Sequence, residues 1–285
     1  MTYRNLKDAL GNKLMQDCKC EGRKIPTAIK RIIRSRCGFG CVFCGLPIFE
    51  YHHLVPWSEV KEHNPEDITI LCNNCHRRAG AGLIPVEEVR KADKSPAVIR
   101  AQSCAPEKIW YSGTVCHVVL GSVRCDFYPV KDCITPILID GHRVLGVDFC
   151  EGKMLLTFDP FPGIPSLSIV ENEVQIFPSV WDVEWVGKRL TFRDADREIL
   201  FRIKFEPPHT LHIENAIVQY NGLLVMIDER GIYLPNVNVN VDGMVFQGCE
   251  WLISLGEGIP SDATNLVYPL PATSPLRFAQ EMGPS

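Results

Sequence analysis

Two Cys-x-x-Cys pairs, Cys41/Cys44 and Cys72/Cys75, are the residues of this 285-residue chain best placed to do chemistry. Each pair offers two thiolates from one tight turn, and four thiolates in two such pairs build a closed tetrahedral zinc site. Cys37 is a further candidate ligand, but Cys41 and Cys44 have the better spacing. Adjacent histidines, His52 and His53, lie between the pairs, and His76 directly follows the last cysteine. A zinc ribbon needs only the cysteines. The three histidines are therefore either bland residues of a hairpin or parts of a second centre.

The elements that must hold these residues can be read around them. After Pro26, Thr27 is a suitable N-cap for a helix through Arg36. Ala28, Ile29, Ile32 and Ile33 form its apolar stripe, and Lys30, Arg31, Arg34 and Arg36 lie around it. Gly38, Gly40 and Gly45 mark the first cysteine pair as a knuckle. Residues 48–55 read as a first strand ended by Pro56, then a loop (SEVKEHNPED), then a short strand over 68–71. Asn73 opens a helix of about two turns ending at Gly80. On it Cys75 and His76 are about 100° apart, so one can face the zinc while the other turns elsewhere. A helix starting near Pro85, with acids in its first turn, should end before Ser95-Pro96, and a linker should run to about Lys108. A weak helix is expected over 3–17, and Cys18/Cys20 form a poor metal signal.

Beyond Trp110 the pattern is of short strands rich in β-branched and aromatic residues. Asp140-Gly141, Glu151-Gly152, Asn221-Gly222 and Asp242-Gly243 punctuate them as turns. Val170-Glu171-Asn172 and Ile213-Glu214-Asn215 hint at an internal repeat. Trp181 and Trp185 are suited to core packing before any nucleotide pocket, and the last fifteen residues read as a loose tail. The expected architecture is an α+β N-terminal zinc module over residues 1–100, followed by an all-β, sandwich- or barrel-like C-terminal domain over 101–285.

Charge divides along the same line. Residues 1–100 carry 17 Lys and Arg against 11 Asp and Glu, a balance of +6; residues 101–285 carry 13 against 23, a balance of −10. The basic half fits a phosphate-backbone partner and the acidic half would repel one. No apolar run is long enough to span a bilayer, so no membrane partner is expected. The opening MTYRNLKDALGNK lacks the apolar core of a signal peptide, which makes the cytoplasm the expected compartment. In that reducing setting the cysteines outside the two pairs, at 18, 20, 37, 104, 116, 125, 133, 150 and 249, are expected as buried thiols.

Residues 34–80 resemble the HNH endonuclease family. The resemblance rests on Cys41/Cys44, the run His52-His53-Leu54-Val55-Pro56, and the run Asp67-Ile68-Thr69-Ile70-Leu71 leading into Cys72, Cys75 and His76. It implies a ββα-metal motif, with His53 as the general base and His52 and His76 on the metal-ligand positions. It also implies a phosphodiester hydrolase acting on DNA, with RNA a further candidate. The family's middle asparagine falls on Asp67, counted as catalytic, which can accept the same hydrogen bonds but not donate them. It would tune the site as an extra ligand or by its charge. Position 80, where some relatives place another metal histidine, is a glycine. Two imidazoles intrinsically favour Mn2+, Ni2+, Co2+ or Zn2+, while Mg2+ can act through abundance. Zn2+ at the cysteines would be structural.

Lys30, Arg31, Arg34, Arg36, Arg77 and Arg78 are the expected nucleic-acid contacts. Double-strand cutting with one motif per chain needs two chains or two nicks, so a homo-oligomer is expected. The β domain is expected to sense a modified base, a small molecule or a protein, which would suit restriction or anti-phage defence. One rival is a zinc-dependent nucleic-acid-binding module without cleavage. Another makes the β domain an assembly scaffold.

Overall fold

Pro26 fixes the entry to the first helix described, α1 (Thr27–Cys37), and is itself the N-cap, so Thr27 is the first helical residue instead of the cap. Gly38 stops the helix at φ 74°, a left-handed conformation natural to glycine, and the Phe39 N–H returns to the Arg34 carbonyl at 2.9 Å. The computed structural model describes residues 24–127, 133–161, 166–195, 197–248, 251–256 and 266–268. The helix expected over 3–17, Cys18 and Cys20, Cys249 and the C-terminal tail lie outside these. The chain divides into two compact units, Met1–Ala105 and Pro106–Ser285.

In the first unit, strand β1 (Glu50–His53) pairs antiparallel with β2 (Ile68–Leu71), His52 standing opposite Thr69 and His53 opposite Ile68. Their connection holds a short helix, α2 (Trp57–Val60), and a 3-10 turn at Pro65–Asp67, where a plain loop was expected. Helix α3 (Asn73–Gly80) follows β2 at once and completes a ββα unit. Helix α4 (Val86–Lys94) places Glu87 and Glu88 in its first turn and Lys91 and Lys94 in its last, each matching the helix dipole. The whole of β2 is buried, and Ile33, Val42, Ile68, Ile70, Leu71 and Val89 pack in one cluster with Cys41, Cys72 and Cys75.

The segment expected as a linker is part of this unit. Residues Ala97–Ala101 form a fifth helix, α5, and Val98 is fully buried. The Ala97 N–H donates to the Val42 carbonyl at 2.9 Å and the Ala105 N–H to the Gly45 carbonyl at 3.0 Å, which ties the segment to the knuckle. Gly40 is required there, because a Cβ on it would lie 2.5 Å from the Gly45 carbonyl oxygen.

The second unit is almost entirely β. One sheet has eight strands in the order 266–268, 251–255, 133–139, 142–150, 153–158, 167–170, 173–176 and 107–108. The other has ten, running from 182–186 through consecutive antiparallel neighbours to 239–241, with 116–120 joined in parallel to 210–220 and 245–247 in parallel to 123–127. The two meet through aromatic rings: Phe158 and Phe161 lie 5.7 and 5.1 Å from Phe201. Trp185 is buried against Phe205, as core packing requires. Hairpins turn at Asp140-Gly141, Glu151-Gly152 and Asn221-Gly222, all with positive φ at both residues. Glu171-Asn172 turns a fourth hairpin, whereas Glu214-Asn215 lies within strand 210–220, so the two similar triplets have different settings and do not mark a repeat. Cys37, Cys104, Cys116 and Cys125 are buried as expected, but Cys133 and Cys150 are exposed.

Asp126 is the buried anchor of a polar cluster whose other members, His117 and Arg124, reach the surface. It is 6% exposed and takes His117 Nδ1 at 2.6 Å and Arg124 Nε at 2.8 Å on one oxygen. Burial pushes its carboxyl up, but the hydrogen bonds from Arg124 and His117 outweigh that and hold it below the usual range. A carboxyl depressed in the folded state stabilises above its unfolded value, about 3.9, and that contribution is lost as pH falls through the folded value. Asp126→Asn should therefore lower the stability of the β unit by about 1–3 kcal/mol at pH 7. Its urea midpoint should converge with that of the wild type as pH falls through and below the ordinary carboxylate range.

Candidate active site

The four cysteines of the two pairs converge. Their sulfurs lie within 4.8 Å of one another, with Cys44 and Cys72 at 3.5 Å. The knuckle is closed by the Cys41 N–H to the Leu46 carbonyl and the Gly45 N–H to the Cys41 carbonyl, while Cys72 is the N-cap of α3 and Cys75 faces inward from its first turn. Zn–S bonds of about 2.3 Å in a tetrahedron put sulfurs about 3.8 Å apart, a separation within reach of this cluster. The donor chemistry fits as well. Burial pushes the Cys44 thiol up to about 12 and Cys75 higher still. Burial also opposes ionisation of Cys72, but the Cys75 amide and the neighbouring thiols bring it below the ordinary range. A divalent ion at the centre would favour the thiolate form of these ligands. Cys37 is not a member: its sulfur sits 3.7 Å from Thr69 Oγ1 and 3.6 Å from Asp93 Oδ1.

His76, one residue past Cys75, emerges on the other side of α3. Its ring stands perpendicular to that of His52 with centres 5.1 Å apart. An imidazole bound at about 2.1 Å has its centre about 3.2 Å from the ion, so two such ligands at roughly 90–110° have centres about 4.5–5.2 Å apart. The observed separation is compatible with two ligands of one ion. Burial, then the neighbouring His76 and His53, lower the His52 pKa and favour the neutral, ligating ring. His52, His53 and His76 all line one open groove of about 860 Å³. His53 points away from His52 within the strand, as neighbours must, but the chain turns at Pro56 and brings Trp57 round the same groove.

Two residues near the histidines were not singled out by sequence reasoning, although one of them carried a local signal. His63 lies in the β1–β2 connection and reads as an ordinary histidine. It is 6% exposed, stacks on Trp57 at 4.2 Å and sits 5.9 Å from the His53 ring. Glu50 was legible: it precedes His52 by two positions, the period of one strand face, and its Oε2 lies 3.3 Å from His76 Nδ1.

Asp67 is placed differently from the expectation of an added ligand or charge at the ion. Its carbonyl accepts the Leu54 N–H at 2.8 Å, bracing the end of β1, and its carboxylate takes Asn64 Nδ2 at 3.1 Å with Arg90 at 3.8 Å. It does not line the groove. Arg34 and Arg36 also need correcting as nucleic-acid contacts. Arg34 is 1% exposed and donates to the Tyr51 hydroxyl at 2.8 Å. Arg36 donates to the Pro65 and Ile68 carbonyls and pairs with Asp93 at 3.0 Å. Each fills a polar requirement within the unit: unsatisfied carbonyls and a half-buried carboxylate attract the guanidinium inward. Lys30 and Arg31 are half-buried, Lys30 lying 5.3 Å over the Tyr51 ring, and Arg77 and Arg78 are exposed on α3.

Because apparent zinc affinities of such sites are about 10–16 kcal/mol, more than most small domains' stability, the metal should hold the first unit together. Stripping the full chain with a strong chelator, or replacing Cys75 by Ser, should abolish amide hydrogen-exchange protection across 27–105. Protection across 116–255 should survive.

Neither a curated protein nor a solved structure matches the chain. Residues 35–82, the stretch that contains the cysteine cluster, the hairpin and all three groove histidines, match the family model of the HNH endonucleases.

Proposed function

We propose that the chain is a metal-dependent endonuclease that hydrolyses phosphodiester bonds of DNA. The observation that carries this reading is the 5.1 Å, perpendicular pairing of His52 and His76 in a groove that His53 also lines. His52 and His76 would hold a divalent ion such as Mn2+, Mg2+ or Ni2+, which supplies positive charge to the scissile phosphate and the departing 3′ oxygen. His53 takes the proton of the attacking water on a ring nitrogen, as a general base. Trp57 and His63, packed beside it, limit the orientations its ring can take. Asp67 and Leu54 hold the strand end that carries it. Arg77 and Arg78, in the last turn of α3, are available to backbone phosphates, and Lys30 and Arg31 add to the basic surface.

The acidic β unit is a poor DNA grip and more naturally regulates or assembles the nuclease. A nuclease joined to such a unit suits restriction or anti-phage defence, with a cytoplasmic setting and action as a homo-oligomer.

Plasmid cleavage tests the reading. With Mn2+ or Mg2+ the protein should nick supercoiled DNA, and His53→Ala should lower the rate about 10²–10⁴-fold while leaving Mn2+ binding intact. Binding of DNA without nicking under any divalent metal would favour the non-catalytic binding module.

A further inference from the structure

We infer that Glu50 is a positioning residue for His76: its carboxylate accepts the Nδ1 proton, fixing the tautomer that presents Nε2 to the ion. The inference rests on the reading of His52 and His76 as ligands of one divalent ion, and adds a residue that the HNH resemblance did not supply. Glu50 and His52 occupy the same face of β1, two positions apart, so the strand delivers the ligand and the carboxylate to the groove together. Across the groove α3 brings His76, whose Nδ1 lies 3.3 Å from Glu50 Oε2, while its ring edge meets His52. A carboxylate on one imidazole nitrogen leaves the other with its lone pair free for the metal and raises the basicity of that nitrogen.

Orientation fits the geometry better than direct ligation by Glu50. Among the described residues, the four cysteines are the only set of three or more His, Cys, Asp or Glu side chains whose ligand atoms lie within 4.8 Å of one another. Glu50, His52 and His76 are therefore not gathered as a three-ligand cage. The need for an orienting partner is greater here than in a site with more ligands. Position 80 is a glycine and Asp67 faces Asn64 and Arg90, so each of the two imidazoles must be aimed well.

The test uses the full chain with its cysteine site loaded with zinc, and reads Mn2+ affinity by calorimetry and the His76 tautomer by long-range nitrogen-edited NMR of the Mn-free protein. In the wild type His76 should be the Nδ1–H tautomer. Glu50→Ala should weaken Mn2+ binding 10–100-fold and shift His76 toward the Nε2–H form. Glu50→Gln, whose amide oxygen still accepts from Nδ1–H, should recover most of the affinity. Wild-type affinity and tautomer in Glu50→Ala would overturn the inference. So would a Gln variant as weak as the Ala variant together with an altered Co2+ absorption spectrum, which would mark Glu50 as a ligand. If the wild type binds no Mn2+, or His76→Ala leaves binding unchanged, both this inference and the two-histidine site beneath it fall. Mn2+ bound in the expected manner without DNA cleavage would sink the nuclease reading alone.

Discussion

Four sulfurs crowded within 4.8 Å of one another are an electrostatic problem that only a cation resolves well, and the geometry of the first unit follows from that solution. Two of the sulfurs sit on the Cys41–Gly45 knuckle and two at the start of α3. The knuckle is bonded to β2 through the Val42 N–H and Ile70 carbonyl, and β2 ends one residue before Cys72. The cluster thereby fixes where α3 begins and how it is rotated. With Cys75 turned inward, His76 has to turn outward; with β1 held in register to β2, His52 has to meet it. The groove is the far side of a constraint set by the cysteines.

A unit with so small an apolar cluster also relies on polar ties. Arg36, Asp93, Thr69 and Cys37 form a connected set: Thr69 Oγ1 donates to Asp93 Oδ1 at 2.6 Å and Arg36 pairs with the same oxygen. This set ties α1, β2 and α4 to one another. Breaking one member would leave the others polar and poorly solvated, which is costlier than never having placed them there. The cationic residues of α1 thus divide by depth. Those of its last turn serve the interior, and those before it remain nearer the surface.

What could be read from the sequence was whatever depends on local spacing. The cysteine pairs, the bounds of β2 and α3, and the 100° offset between Cys75 and His76 follow from turn and helix periodicity, and the structure has them where the pattern puts them. The inward course of Arg34 and Arg36 was not legible, because residue type favours solvent and only the acceptors brought by distant elements reverse it. The packing of 96–105 depends equally on its partner, the knuckle, and its Ser-Pro start resembles a linker. In the β unit, strand 133–139 was hidden by Pro136. The proline is accommodated because the pairing with 142–150 shifts register between Ile134 and Ile137. The parallel partners 116–120 with 210–213, and 245–247 with 124–126, carry no local signature at all.

Those long-range pairings have a consequence for the order in which the protein is made. Strand 251–255 lies in parallel against 135–139, and 245–247 against 124–126, so each sheet of the β unit includes a segment synthesised more than a hundred residues after its neighbour. The first unit closes its own contacts by Ala105. On the ribosome, therefore, the half that carries the cysteine cluster can be complete while the β half still has open sheet edges, and any restraint that the second half places on the first begins only late in translation.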